Sequence, residues 1–263
     1  MKKLPTLLLI VFNFSVFAQQ EVKNTAHKKA IIVLTYDDAL MSQLNIAIPQ
    51  LDSAQLTGTF FLTGNITQQA MPMWQAAARR GHELANHTLY HPCLMSNVKG
   101  NPANNSDNYS VYTIIREIGM MNTLLYAMDN NKTHTYAYPC TETMVGGVSY
   151  VDDLRKSGLV KYARIGGDQN DIITDYQNLD PLEVPSFAVV GDFTGNDLID
   201  FVKKVQEKGG MGVFMFHGVG GDYLTTSAKA HRELLSYLSK HKADVSVTTF
   251  RQAMDDVKGG KSN

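Results

Sequence analysis

Between Ala30 and Lys258 the chain alternates seven times between a short apolar run and a longer amphipathic segment, and this repetition limits the possible folds more than any single motif does. IIVLTY precedes SQLNIAIPQLDSAQ, where Leu44, Ile48 and Leu51 recur at helical spacing. GTFFLTG precedes PMWQAAARRG, whose Gly81 suits the end of a helix. HELANH, THTYAYP, LVKYARIGG, MGVFMFHG and DVSVTTF are the remaining strand-like runs. The segments following them are SVYTIIREIGMMNTLLYAMDN, VSYVDDLRKSG, NDLIDFVKKVQEKGG, SAKAHRELLSYLSKHKA and RQAMDDVK. Regular alternation of strand and helix predicts an α/β protein whose parallel sheet closes into a distorted (β/α) barrel of about seven strands. With 263 residues, 44% apolar and 19% charged, the chain is large enough for one such domain and far from the composition of disorder.

The first 18 residues read differently. Two lysines precede an apolar run from Leu7 to Phe17, and Val16 and Ala18 are small residues suited to cleavage before Gln19. This is the pattern of a bacterial-type export signal, and the run is shorter than the ~20 residues that a membrane span prefers. The expectation is a signal peptide over 1–18, a short tether over 19–29, one domain over 30–258 and a flexible tail over 259–263. After cleavage no stable membrane span is expected, and the mature protein would be periplasmic or secreted. Loss of Lys2 and Lys3 leaves 22 basic against 25 acidic residues, a net charge of −3 that favours neither nucleic acid nor another polyanion. In an oxidising compartment Cys93 and Cys140 either form a bridge or remain free thiols.

Polar residues at the ends of the apolar runs carry the chemistry. IIVLTY runs into Asp37 and Asp38, and an ionised carboxylate inside a core is too costly, so the pair belongs at a strand end. A turn or helix cap accounts for such a pair equally well in isolation. HTLYHP places His87 and His91 four apart, a spacing that lets both face one side of a helical turn, with Pro92 stopping it. Two imidazoles and one carboxylate make a three-ligand set for zinc or a similar ion, with a further coordination position for water. VFMFHG delivers His217 to a strand end, either as a core histidine or as a general acid with a reference pKa near 6.5. TYAYPCTE places the Cys140 N–H just past another strand.

LTYDDA, HTLYHP, YAYPCT and FMFHG, in that order, resemble the motifs of the polysaccharide deacetylases with a NodB-homology domain, carbohydrate esterase family 4. The resemblance spans roughly 29–258. It implies a distorted barrel acting on an acetylated carbohydrate, with a divalent metal, usually zinc, held by Asp38, His87 and His91. It further implies Asp37 as general base, His217 as general acid and the Cys140 N–H as an oxyanion donor. Removal of N- or O-acetyl groups outside the cytoplasm is the implied activity. Hydrolysis of a cyclic amide and carbohydrate binding without catalysis are the competing readings.

The match departs from the family pattern at three places. Ala39 replaces the usual glycine, a mild change provided its φ stays negative. Ala137 stands where the family carries an arginine beside the base, and Arg164, at the end of VKYARIGG, is the candidate replacement, because a cation within ~4–6 Å favours an ionised carboxylate. The motif whose acid orients the histidine is not recognisable; Asp168 and Asp171 are candidates for it. Tyr90, Phe216 and Tyr223 are candidates for stacking on sugar, with burial in the core as the alternative.

Overall fold

The computed structural model describes residues 29–96 and 102–259. The expected signal over 1–18, all of the tether but Lys29 and all of the tail but Gly259 lie outside the described residues. In chain order the elements are β1 (Ala30–Asp37), α1 (Ile48–Ala54), β2 (Thr59–Leu62), α2 (Met71–Arg79), β3 (Glu83–Asn86), α3 (Val111–Asp129), β4 (His134–Ala137), β5 (Met144–Val145), β6 (Val148–Ser149), α4 (Val151–Ser157), β7 (Val160–Arg164), β8 (Phe187–Ala188), α5 (Gly195–Lys208), β9 (Met211–Phe216), α6 (Ala228–Lys240), β10 (Val245–Thr248) and α7 (Phe250–Lys258). Among these described residues no helix is long and apolar enough to cross a membrane.

All seven expected runs are strands of one parallel sheet, whose main path runs β7, β4, β3, β2, β1, β9, β8. On the edge of β1 away from β9, β10 pairs with Ala30 to Val33 and β2 pairs with Thr35 to Asp37. The two-residue β8 is the addition; it sits inside the polar stretch 166–192, too short to produce an apolar run. Its segment also closes the curl: Val184 bridges to Arg164 of β7, while Phe187 and Ala188 pair with Phe214 and Met215 of β9. β5 and β6 form a separate small hairpin.

Alternation along the strands sorts the core into two layers. Ile32, Leu34 and Tyr36 of β1 pack outward with Leu51, Phe60, Trp74 and Leu234 beneath the helices. Val33, Phe61, Ala85, Ala137 and Val213 fill the interior, where Phe250 and Met254 of α7 close the lower end. Both faces of the sheet are thus covered, so its strands read as nearly continuous apolar runs. Each fully buried Leu or Phe contributes about 1.5–3 kcal/mol. The start of α7 is held by buried polar groups: Phe250 N donates to Thr59 Oγ1 at 2.8 Å and Arg251 N to Glu83 Oε2 at 2.9 Å. With the lower end plugged, the carboxyl ends of the strands are left to build a site.

Candidate active site

Asp37 is the last residue of β1 and lies on the same side as Val33, facing the barrel interior. A continued strand would send Asp38 to the opposite side. Asp38 instead takes φ 82, and Ala39 takes φ 58, so the chain turns back and both carboxylates face one cleft. The condition under which Ala39 would be a mild change, a negative φ, is therefore not met; the turn needs a left-handed residue there, as the family's glycine would supply. Asp38 N donates to Phe61 O at 3.0 Å, which ties the turn to β2.

The helical turn expected for HTLYHP is also absent. His87 to Pro92 form a bend in which Thr88 has φ 65 and His91 has φ 51. Side chains hold the bend: Asn86 Oδ1 accepts from Thr88 N at 2.8 Å, Thr88 Oγ1 from His91 N at 3.0 Å, and Glu117 of α3 from Tyr90 N at 2.8 Å. The two imidazoles nonetheless converge. His87 Nε2 lies 3.4 Å and His91 Nε2 3.3 Å from Asp38 Oδ1, and the two nitrogens are 3.1 Å apart. Ligands at ~2.0–2.1 Å from a tetrahedral zinc would stand ~3.3–3.4 Å from one another, so these three donors suit such an ion. His87 Nδ1 faces the Ala137 carbonyl at 2.8 Å, the outer hydrogen bond that leaves Nε2 free to ligate.

The charges agree with a cation site. Burial acts to raise the Asp38 pKa, but the His87 hydrogen bond and the surrounding imidazoles outweigh it and hold the carboxyl well below its ordinary range. Burial likewise acts to lower His87, yet the charge of Asp37 and the hydrogen bond to Asp38 raise it. His91 is pushed down to about 4 by burial and by the neighbouring His87 charge. Two nitrogens this close share at most one proton between them.

Arg164 stands in register with Ala137 across β4 and β7, one strand away from the position where the family carries its arginine. Its guanidinium lies over the Phe61 ring, 5.0 Å from the centroid, and Nη2 donates to Asp37 Oδ2 at 2.5 Å. Both side chains are almost wholly buried. Asp37 Oδ1 is buried and has no hydrogen-bonding partner among the described residues. His217 Nε2 stands 3.8 Å from Asp38 Oδ2, across the same cleft.

The other candidates divide. Tyr90, Tyr223 and Cys140 line the cleft, a cavity of about 520 Å3. Phe216 does not: it is fully buried, stacked on Phe214 and Tyr36 beneath the helices. Strand alternation is the reason, since Met215 and His217 take the cleft side and Phe216 must take the other. Asp168 and Asp171 do not orient His217; Asp171 Oδ2 accepts from Asp168 N and Asp168 Oδ1 from Asn170 N, both at 2.7 Å, in a turn of their own. Among the described residues, His217 Nδ1 is buried without a hydrogen-bonding partner. Cys93 and Cys140 form a disulfide.

The sequence gives no sign of one residue, Gln43, nor of the contact that Tyr223 makes with the metal-ligand candidate Asp38. Tyr223 OH donates to Asp38 Oδ2 at 2.7 Å, and burial and the Asp38 charge raise its pKa. Gln43, fully buried in a π-helical turn over Gln43–Ala47, donates to the carbonyls of Asp37 and His217 at 2.5 and 3.1 Å. No periodicity marks a π-turn, although such turns are frequent at functional sites.

Residues 24–154 match a family model described as polysaccharide deacetylase. No curated protein sequence matches the chain. Among solved structures, it is similar to the Xyl-CE4 domain of a multidomain xylanase from the hindgut metagenome of Trinervitermes trinervoides, with 17% identity, a TM-score of 0.55 and coverage of 88% of this chain and 92% of that one. The catalytic domain of a peptidoglycan N-acetylglucosamine deacetylase from Eubacterium rectale gives 17% identity and a TM-score of 0.55, covering 84% and 89%. Peptidoglycan deacetylase PdaC from Bacillus subtilis gives 18% and 0.51, covering 88% and 92%. At such identities the likeness shows the fold. The matched span holds Asp37, Asp38, His87, His91 and Cys140 and stops short of Arg164, His217 and Tyr223.

Proposed function

The chain belongs to the polysaccharide deacetylase family, and from that premise we propose that it is a metal-dependent hydrolase removing N- or O-acetyl groups from a carbohydrate outside the cytoplasm. The observation carrying this reading is the triangle of donor atoms from Asp38, His87 and His91, with sides of 3.1 to 3.4 Å, beside an unpartnered oxygen of Asp37. Asp38, His87 and His91 would hold the cation, zinc by the mixed nitrogen and oxygen character of the set. When bound, it supplies Lewis acidity toward a carbonyl oxygen and makes water a nucleophile near neutral pH.

The remaining steps fall to the chain's own groups. Asp37 Oδ1 takes the proton from the attacking water, while Arg164 on Oδ2 favours the ionised carboxylate. The Cys140 N–H meets negative charge developing on the acetyl oxygen. His217, across the cleft, delivers a proton to the departing nitrogen or oxygen. Acetate and a free amine or hydroxyl leave. Tyr90 and Tyr223, both more than half exposed at the cleft, offer faces on which sugar rings stack. The export signal read over 1–18 fits a glycan substrate that the cell meets outside its cytoplasm.

Structural neighbours of this fold include two mutants of a carbohydrate esterase family 4 pseudoenzyme, one of them with restored activity, so fold alone does not decide turnover. Presence of both Asp37 and His217 at the cleft favours catalysis over binding alone. Acetate release should be measured on acetylated xylan, chitin oligomers and peptidoglycan, with zinc and with a chelator. Activity on at least one substrate, abolished by the chelator, is expected. Asp37→Asn should lose about 10²–10⁴-fold in turnover while still retaining zinc. Glycan binding without acetate release in the zinc-loaded protein would instead identify a non-catalytic binder.

A further inference from the structure

We infer that the Cys93–Cys140 disulfide is a working part of the metal centre: the Cys93 sulfur is the acceptor that holds the His91 ring in its ligating tautomer. This rests on the reading of Asp38, His87 and His91 as ligands. Nε2 of His91 is turned toward Asp38 Oδ1 and His87 Nε2, at 3.3 and 3.1 Å. A neutral imidazole that ligates through Nε2 carries its proton on Nδ1, and that proton needs an acceptor. For His87 the acceptor is the Ala137 carbonyl. For His91 the group facing Nδ1 is Cys93 Sγ, at 3.4 Å.

Sulfur is a weak acceptor, so its position must be fixed for the contact to orient a ring. Three features fix it. The bridge spans 47 residues and joins the bend carrying His91 to the turn carrying Cys140. Cys93 N donates to Asn104 O and Cys93 O accepts from Ser106 N, each at 3.0 Å. Pairing between β3 and β4 is confined to Asn86 with Tyr136, so the bridge is the covalent link between their two loops just above that single pair. Cys93 and Cys140 both line the cleft, where an ordinary structural crosslink has no need to be. Loss of the bridge therefore weakens cation binding although no ligand is removed.

Zinc affinity, measured by competition with a chromophoric chelator, tests this on the full protein. Cys93→Ala with Cys140→Ala should bind zinc about 10–100-fold more weakly than the wild type. Cys93→Ser with Cys140→Ala returns an acceptor without the bridge and should recover part, but not all, of that loss. Wild-type affinity in the double alanine variant would overturn the inference. So would a serine variant no tighter than the alanine one, since the bridge would then be a tether alone. If the alanine variant fails to fold, imidazole nitrogen NMR of the zinc-loaded wild type decides: a proton on His91 Nδ1 is expected, and a proton on Nε2 overturns the assignment. A wild type that binds no zinc would bring down the ligand reading and this inference together, whereas unequal outcomes among the variants bear on the disulfide only.

Discussion

The two walls of the cleft are built by different means. The wall from β1 to β4 presents Asp37, Asp38, His87, His91 and Cys140 from short local motifs, each bent into place by a left-handed residue at Asp38, Ala39, Thr88, His91 or Cys140. The opposite wall, from β7 through β9 and the loop beyond, presents Arg164, His217 and Tyr223 as single side chains that each reach Asp37 at the end of β1 or Asp38 in the turn after it. A motif can be read where its residues are neighbours in sequence. An ion pair reaching from Arg164 to Asp37 exists only because the sheet curls.

If the second wall depends on that closure, its largest single effect should come from Arg164. Replacement by Met leaves Asp37 buried without its cation and should cost about 3–5 kcal/mol in a denaturant titration run with a chelator. Adding Asp37→Asn should return much of the loss, because the unpaired charge goes with it. A cost below about 1 kcal/mol would mean that the two walls are not joined through this pair. Tyr223→Phe probes the same wall more gently. The phenol is half exposed, so losing its hydrogen bond to Asp38 should weaken zinc binding only about fivefold, close to 1 kcal/mol. No change would remove Tyr223 from the metal centre and leave it as a cleft-side aromatic.

The same contrast explains what the sequence disclosed. Seven strands and their following helices were legible because both faces of the sheet are covered, which makes apolar runs stand out against amphipathic segments. β8 was not legible, since two residues held at the seam carry no pattern. Asp37, Asp38, His87, His91 and His217 were singled out from strand ends and spacing, and they meet in one cleft. Phe216 was misplaced because its neighbour His217 faces the cleft and alternation then forbids the same of Phe216. The turn at Ala39 and the bend at HTLYHP depend on positive φ angles at residues other than glycine, which no residue type announces. Gln43 and Tyr223 act through tertiary hydrogen bonds and leave no periodic trace.

Zinc-edge X-ray absorption on the loaded protein tests the donor triangle most directly. The account predicts one zinc in a shell of nitrogen and oxygen at about 2.0–2.2 Å, with the outer scattering of two imidazoles. A shell containing sulfur near 2.3 Å, or a protein that retains no zinc, would contradict it.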